Sequence, residues 1–392
     1  MTSNHTYIDI FAGCGGLSYG LYKSGWKGLF AVEKSPMAFS TLKHNLIDTR
    51  HHFEWPEWMP QEAIDINVLM KKHQKELLSL KNEVDLVAGG PPCQGFSFAG
   101  RRDRNDVRNK LVHSYIDFIK LIEPEIVFFE NVSGFNAKVG EHEPYSNTVE
   151  KKIKRLGYSV DKQMVPFKNF GIPQRRERYI LIGLKSKAPE DFFPMLIENK
   201  TSFLRPQGIT KQVSAMAAIS DLEMKNGKAA SPDSKNFMAG IYGKARTNYQ
   251  KLMRNNNGSG IPDSHRYANH SSTTIERFQH IIDNSPKGKA IPKEIKEKYN
   301  LKKMTTRLID PKAPCPTLTT LPDDYIHYSE PRILTVREYA RIQSFDDDYI
   351  FMEKYTTGGD RRASDVPRYT QIANAIPPLF MEQVGNVLKE MN

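Results

Sequence analysis

The chain has 392 residues and a formal net charge of +11, a length that accommodates one large core plus a second lobe, roughly two domains. No run of about 18 apolar residues occurs, so no membrane span is expected, and no basic-then-apolar stretch opens the chain, so no secretory signal is read. Its three cysteines, Cys14, Cys93 and Cys315, are odd in number and widely spaced, which excludes a disulfide framework and a zinc signature and points to a reducing cytosol.

From residue 6 to about residue 185, short apolar runs alternate with helix-like segments, the rhythm of a parallel sheet connected by helices. Thr6–Phe11 reads as the first strand and Leu29–Val32 as the second. Ser35-Pro36 then supplies an N-cap and a first-turn proline for a helix reaching His44. Val84–Ala88 predicts a buried strand, Leu111–Ile122 an amphipathic helix stopped by Pro124, and Ile126–Phe129 another buried strand. Gly157–Val160 and Arg178–Leu184 form a closing pair. Between Ser186 and about Ile326 the apolar periodicity weakens and Asn, Ser, Gly, Pro and Lys rise, as in Asn255–Gly260. Thr335–Ser344 regains helical spacing, and Gln371–Leu379 is a compact segment ahead of a last helix. Between Lys185 and Glu330 there are 23 Lys and Arg against 15 Asp and Glu, a net of +8. Such a basic lobe suits a polyanionic partner, or is a merely soluble basic surface.

The strand Val84–Ala88 runs into Gly89-Gly90-Pro91-Pro92-Cys93-Gln94-Gly95-Phe96-Ser97. Catalytic residues of open α/β sheets gather at such carboxyl ends, and two prolines stop the segment from continuing as strand or helix. Cys93 is thus a thiol held on a stiff turn, compatible with hydrolase, redox or transfer chemistry. The alternative, a small apolar core residue, does not call for Gly-Gly-Pro-Pro on one side and Gln-Gly on the other. The first strand leads into Asp9-Ile10-Phe11-Ala12-Gly13-Cys14-Gly15-Gly16-Leu17-Ser18, where glycines let backbone approach a ligand and leave helix-start amides facing it. Ser18 stands where the dinucleotide fingerprint has a third glycine, which disfavours NAD. Glu33, ending the second strand, is placed to accept hydrogen bonds from ribose hydroxyls, and Asp65 could do so from an adenine amino group. Glu130-Asn131-Val132 follows the strand Ile126–Phe129. A carboxylate there is either a partly desolvated acid that holds or shares a proton, or a helix cap or buried structural acid. In Gln174-Arg175-Arg176-Glu177-Arg178, alternation puts Arg176 and Arg178 on one side of an extended segment, suiting phosphate or a ring carbonyl. A salt-bridged strand edge with Glu177 is the plain alternative. The pairs His51-His52 and His265/His270 have no cysteine companions, so no metal site is expected.

Taken together and in order, Gly-Pro-Pro-Cys-Gln-Gly-Phe-Ser at 90–97, Glu-Asn-Val at 130–132 and Gln-Arg-Arg-Glu-Arg at 174–178 resemble signatures of the C5-cytosine DNA methyltransferase family. Asp-Ile-Phe-Ala-Gly-Cys-Gly-Gly at 9–16 resembles its S-adenosylmethionine turn. Residues 332–345 and 371–378 resemble its two C-terminal motifs. The resemblance spans nearly the whole chain apart from residues 186–326. It implies a Rossmann-like α/β S-adenosylmethionine-dependent methyltransferase sheet with a smaller, irregular target-recognition domain. The corresponding parts are residues 1–185, catalytic and cofactor-binding; 186–326, target recognition; and 327–392, C-terminal motifs returning to the catalytic domain.

The same resemblance implies residue roles. Cys93 as thiolate would attack carbon 6 of a cytosine flipped out of the duplex. Glu130 would bond the ring nitrogen and exocyclic amine, Arg178 the cytosine carbonyl, and Arg176 would brace the loop and phosphate. For S-adenosylmethionine, Phe11 would stack on adenine, Gly13 and Gly15 would lie near the methionine portion, Glu33 would hold the ribose and Asp65 the adenine edge. Pro91, Leu111 and Asn374 complete the implied cofactor contacts. Ala373 stands where the family usually has glycine, and Val165-Pro166-Phe167 replaces a more usual Leu-Asn-Ala. Double-stranded DNA is the implied partner, read through the major groove by the variable lobe. The enzyme is expected to act as a monomer in the cytoplasm, on nucleoid DNA, with no metal, as the modification enzyme of a restriction-modification system with a companion endonuclease. Relatives with the same catalytic motifs that methylate tRNA, and a catalytically silent DNA binder, are the competing readings.

Overall fold

The computed structural model describes residues 5–92, 110–138, 143–255, 260–301, 303, 305–359, 361 and 364–391. Cys93 lies outside the described residues. The chain divides into two compact units: Met1–Pro166, Glu177–Ser202 and Phe380–Asn392 form the first, and Phe167–Arg176 with Phe203–Leu379 the second. These bounds differ from the three parts expected from the sequence. Most of the segment 327–392 belongs to the second unit, and only its last helical stretch to the first.

The first unit is built on a six-stranded sheet. Its strands are β1 Thr6–Ile10, β2 Lys27–Val32, β3 Leu86–Gly89, β4 Ile126–Val132, β5 Ser159–Pro166 and β6 Glu177–Leu184. They lie in the order β2-β1-β3-β4-β6-β5. The pairs β2–β1, β1–β3 and β3–β4 are parallel, whereas β6 runs antiparallel to both β4 and β5. The chain passes from β1 out to β2 on one side and then crosses to β3 on the other side of β1, which makes the crevice at the carboxyl ends of β1 and β3 the switch point where such sheets bind ligands. Helices α1 Gly16–Lys23, α2 Pro36–Leu42, α3 Ile66–Lys72, α4 Gln74–Ser79, α5 Lys110–Ile122, α6 Tyr145–Arg155 and α7 Phe192–Leu204 follow in chain order. Ser35 caps α2 by accepting from the Ala38 amide, as its sequence predicts. The helix then relaxes into a π-helical turn over Lys43–Thr49 rather than ending at His44.

Strand limits differ from expectation for local reasons. β3 begins at Leu86, not Val84, because the Asp85 carboxylate turns to accept from the Thr6 amide at 2.7 Å. β4 runs on through Glu130 and Asn131 to Val132 because β6 supplies a partner for each, down to Val132 opposite Arg178. The central strands are apolar on both faces: Leu86, Val87, Ala88, Val127, Phe128 and Phe129 are fully buried, as parallel strands covered on two sides require.

The second unit contains helices α8 Ala215–Ile219, α9 Asn248–Arg254, α10 Ser272–Asn284, α11 Lys293–Lys298, α12 Val336–Ile342 and α13 Arg368–Asn374. It also has a hairpin, β7 Lys228–Ala230 with β8 Met238–Gly240, and a short parallel pair, β9 Arg307–Leu308 with β10 Tyr325–Ile326. One apolar cluster gathers Phe278, Ile281, Ile291, Ile295, Leu308 and Ile326. Further apolar residues, among them Ile219, Leu222, Met253, Leu334, Val336, Ile342, Phe345 and Phe351, are buried elsewhere in this unit, and buried ion pairs lie among them. Asp221 accepts from Arg254 Nη2 at 2.6 Å and Arg341 Nη2 at 3.2 Å. Arg341 also reaches Asp347, and Arg337 reaches Asp263 at 2.9 Å. Glu338, in a capping box with Thr335, takes Arg332 through two bonds of 2.7 Å. Although burial alone would raise it, Arg332 holds this carboxyl down to about 2. Among the described residues, no helix is long and apolar enough to cross a membrane.

Candidate active site

Register aligns the residues singled out from the sequence. Val32, Ile10, Gly89 and Phe129 are neighbours in one row across β2, β1, β3 and β4. The next residue on each strand is Glu33, Phe11, Gly90 and Glu130. With neighbouring strands about 4.8 Å apart, the row of three spacings spans about 14 Å, a length that suits two adjoining small ligands. Sequence spacing alone does not bring these four together; the parallel register does.

At the β1 end the backbone makes a tight turn. Phe11 has φ +64°, Gly13 +57° and Gly15 +88°, and Gly15 precedes the first turn of α1. A left-handed Phe is a local cost of about 1–2 kcal/mol, a kind of strain that clusters at functional sites. Glu33 stabilises the turn: its Oε2 accepts from the Gly13 amide at 2.8 Å and its Oε1 from the Ser35 amide at 2.7 Å. Burial raises the Glu33 carboxyl above the usual carboxylate range, against those amide bonds. A Cβ placed on Gly13 would meet none of the described residues within 4 Å. Asp9, one residue inside the strand, is buried and accepts from Ser18 Oγ at 2.6 Å. Burial, with a smaller contribution from Glu33, pushes its carboxyl up to about 7. Asp65 caps α3 through the Asn67 amide at 2.9 Å and pairs with Lys34 at 3.1 Å. Burial raises this carboxyl, but Lys34 and Asn67 outweigh it and leave it lowered.

At the β3–β4 end, Glu130 and Arg178 form an ion pair, Arg178 Nε donating to Glu130 Oε1 at 2.8 Å. Both residues are less than a tenth exposed. Burial lowers the Arg178 guanidinium, and Glu130 opposes that. The other oxygen, Oε2, faces Gly90 so closely that a Cβ there would sit 2.9 Å from it. Asn131 Nδ2 donates to the Pro91 carbonyl at 3.0 Å, tying the Pro-Pro turn to β4. Pro91 is buried and Pro92 exposed. Cys93, immediately beyond, lies outside the described residues. Asn131 and Asp9 lie inside the sequence motifs without a role that the motifs imply; an amide at the end of a buried strand is the signal that marks Asn131.

Leu111 is half-buried at the start of α5. Arg176 and Arg178, expected on one side of an extended segment, have separate partners. Arg176 precedes β6 and donates through Nη1 to the Ala373 carbonyl at 2.9 Å, bracing the end of α13 next to the exposed Asn374. Cys14 and Cys315 are buried, and burial pushes each thiol up to about 12, so neither is a ready thiolate. Among the described residues, no cluster of His, Cys, Asp and Glu could hold a metal ion.

The family model for C-5 cytosine-specific DNA methylases matches residues 5–390. The chain belongs to that family. It is therefore a DNA cytosine-5 methyltransferase, and membership implies use of S-adenosylmethionine. Among similar proteins, the Type II methyltransferase M.DdeI of Desulfomicrobium norvegicum is 29% identical, covering 96% of this chain and 87% of its own. The Type II methyltransferase M1.HphI of Haemophilus parahaemolyticus is 27% identical, covering 99% and 87%. A solved structure described as a prophage-encoded DNA modification methyltransferase (E. coli) superposes with a TM-score of 0.70 at 23% identity, over 98% of both chains. It shares the fold. The methyltransferase sheet read from the sequence is the one observed.

Proposed function

We propose that this methyltransferase modifies one cytosine within a specific duplex sequence through Cys93, and that it serves as the modification enzyme of a restriction-modification system. The observation that carries the residue roles is the Glu130–Arg178 pair, one oxygen engaged by Arg178 and the other turned to the glycine three residues before Cys93. The strained turn at Phe11–Gly15, with Glu33 beneath it, fits S-adenosylmethionine: apolar ring, bare backbone and carboxylate match adenine, methionine and ribose in kind. Phe11, Gly13, Gly15, Glu33, Asp65, Pro91, Leu111 and Asn374 would hold it, and bound there it supplies an electrophilic methyl group.

The remaining chemistry is the chain's own. The Cys93 thiolate adds to carbon 6 of the extruded cytosine, and the ring electrons it displaces make carbon 5 nucleophilic. Glu130 Oε2 accepts from the exocyclic amine and shares a proton with the ring nitrogen as negative charge builds there, stabilising that charge shift. Arg178 holds Glu130 in place and offers its remaining donors to the ring carbonyl. Arg176 acts at a distance as a positioning residue, through the backbone beside Asn374. Once carbon 5 is methylated, solvent water takes its proton, the C–H electrons re-form the 5,6 double bond and the Cys93 sulfur departs as thiolate. The basic segment 186–326 would hold and read the duplex, with the enzyme acting as a monomer on nucleoid DNA in the cytoplasm. Methyl transfer from labelled S-adenosylmethionine is measured on duplex DNA and on total tRNA; transfer to tRNA alone overturns the proposal. Trapping on a duplex carrying 5-fluorocytosine, present for wild type and absent for Cys93→Ser, tests the covalent step and excludes a silent binder.

A further inference from the structure

Within the second unit, four side chains stack in layers: Phe237, Arg266, Tyr355 and Arg368. The Arg266 guanidinium carbon lies 4.0 Å from the Phe237 ring centre and 3.7 Å from that of Tyr355. The Arg368 guanidinium covers the Tyr355 ring at 4.3 Å. The two arginines differ in what else they touch. Arg368 is neutralised by Asp233 at 2.6 Å and also donates to Ser264 Oγ at 2.9 Å and the Glu353 carbonyl at 2.7 Å. Asp233 is further engaged by the Tyr355 hydroxyl. Arg266 has no carboxylate partner among the described residues; one hydrogen of Nη1 goes to Ser234 Oγ at 3.2 Å, and its Nε is buried without a partner. Its second Nη1 hydrogen and both on Nη2 have no acceptor among the described residues.

Arg277 of this unit also has a buried Nε without a partner, beside the Phe278 ring, but only Arg266 lies within about 4 Å of two ring centres. Arg254, Arg332, Arg337 and Arg341 are each bonded to a buried or partly buried acid. Arg266 is half-buried and lies against two rings; burial lowers its guanidinium, opposed in smaller part by Tyr355 and Asp233. It is carried on a segment that extends the β7–β8 hairpin, with Arg266 bridging Ala239 and the Tyr267 amide donating to the Met238 carbonyl. The hairpin loop 231–237, which supplies Ser234 and Phe237, is largely exposed. A guanidinium clamped between two rings donates only in its own plane. That geometry suits two coplanar acceptors on a base edge, and guanine N7 and O6 in the major groove are such a pair. A two-stranded ribbon is also an element the major groove admits.

We infer that Arg266, held between Phe237 and Tyr355 on the β7–β8 ribbon, reads a guanine in the recognised sequence. This rests on the duplex-methylating function proposed above. The test uses the full-length enzyme, S-adenosylmethionine and a random-sequence duplex library, with methylated cytosines mapped by bisulfite sequencing. Wild type is compared with Arg266→Gln and Arg266→Lys, and thermal unfolding is followed for all three. The expected result is a wild-type motif with a guanine position whose preference falls about ten- to a hundredfold in Arg266→Gln. Arg266→Lys should fall less, and the salt dependence should be preserved. An unchanged motif in both variants overturns the inference, whatever happens to their melting temperatures. So does an even loss over all sequences with a shallower salt dependence, which is the mark of a phosphate contact. A wild-type enzyme that leaves the library unmodified overturns the proposed function itself, and this inference with it.

Discussion

Replacing Gly90 by alanine should cost activity and spare the fold. The backbone at Gly90 is not left-handed, and the added methyl would lie 2.9 Å from Glu130 Oε2, 3.6 Å from the Glu130 carbonyl oxygen and 3.9 Å from its Cβ. Ordinary contact begins near 3.4 Å, so the carboxylate must retreat by about 0.5 Å. Swinging Oε2 away pulls on Oε1, which Arg178 Nε holds at 2.8 Å. A misplacement of about 1 Å in a reacting group costs roughly a hundredfold. Half of that predicts a fall in kcat of about tenfold, on the order of 1.4 kcal/mol in the barrier. Methyl transfer to duplex DNA under saturating conditions measures it, with trapping on 5-fluorocytosine duplex reporting the addition step. Gly89→Ala is the contrast: its methyl would overlap the Ile10 carbonyl oxygen of β1 and press on Tyr115. Backbone in a central strand cannot give way, so stability should fall by about 1–3 kcal/mol or more. Unchanged kcat in Gly90→Ala, or equal losses of stability in the two variants, would refute the reasoning.

Other perturbations have defined outcomes. Arg178→Ala leaves Glu130 buried without its cation, so thermal stability should fall by roughly 3 kcal/mol together with activity; a variant as stable as wild type would show the pair to be structurally neutral. For Asp9, whose folded carboxyl sits near 7 against about 3.9 unfolded, the native state binds the extra proton. Its contribution is therefore fully present below about pH 4 and lost as pH rises through 7. Asp9→Asn should raise the melting temperature relative to wild type more at pH 8 than at pH 5, and a pH-independent difference would count against this. Glu33→Gln retains one acceptor for the Gly13 and Ser35 amides in place of two. S-adenosylmethionine affinity should weaken about tenfold by calorimetric titration, and unaltered affinity would remove Glu33 from the cofactor site.

Local sequence carried the elements of the first unit well. Apolar runs at Val84–Ala88 and Ile126–Phe129, the Ser35-Pro36 helix start and the stop at Pro124 each act over a few residues, and each produced the strand or helix it implies. The exceptions are places where a distant partner extended or trimmed an element, as β6 did for β4 and Thr6 did for β3. The second unit was less legible, because its elements are short and its interior mixes apolar residues with the buried pairs of Arg254, Arg332, Arg337 and Arg341. Charged side chains have no hydrophobic periodicity to read, and two of these pairs, Arg254 with Asp221 and Arg337 with Asp263, join residues 33 and 74 positions apart.

The ordered motifs by themselves determined the family, the kind of reaction expected and the residue types at its centre, since those depend on chemistry carried by short segments. Only tertiary structure decided that Val32, Ile10, Gly89 and Phe129, each one residue before Glu33, Phe11, Gly90 and Glu130, stand in one row, that Arg178 belongs to Glu130, and that Arg176 turns instead to Ala373. Pairing register and side-chain partners depend on how distant segments meet, and no window of sequence contains both sides of such a contact.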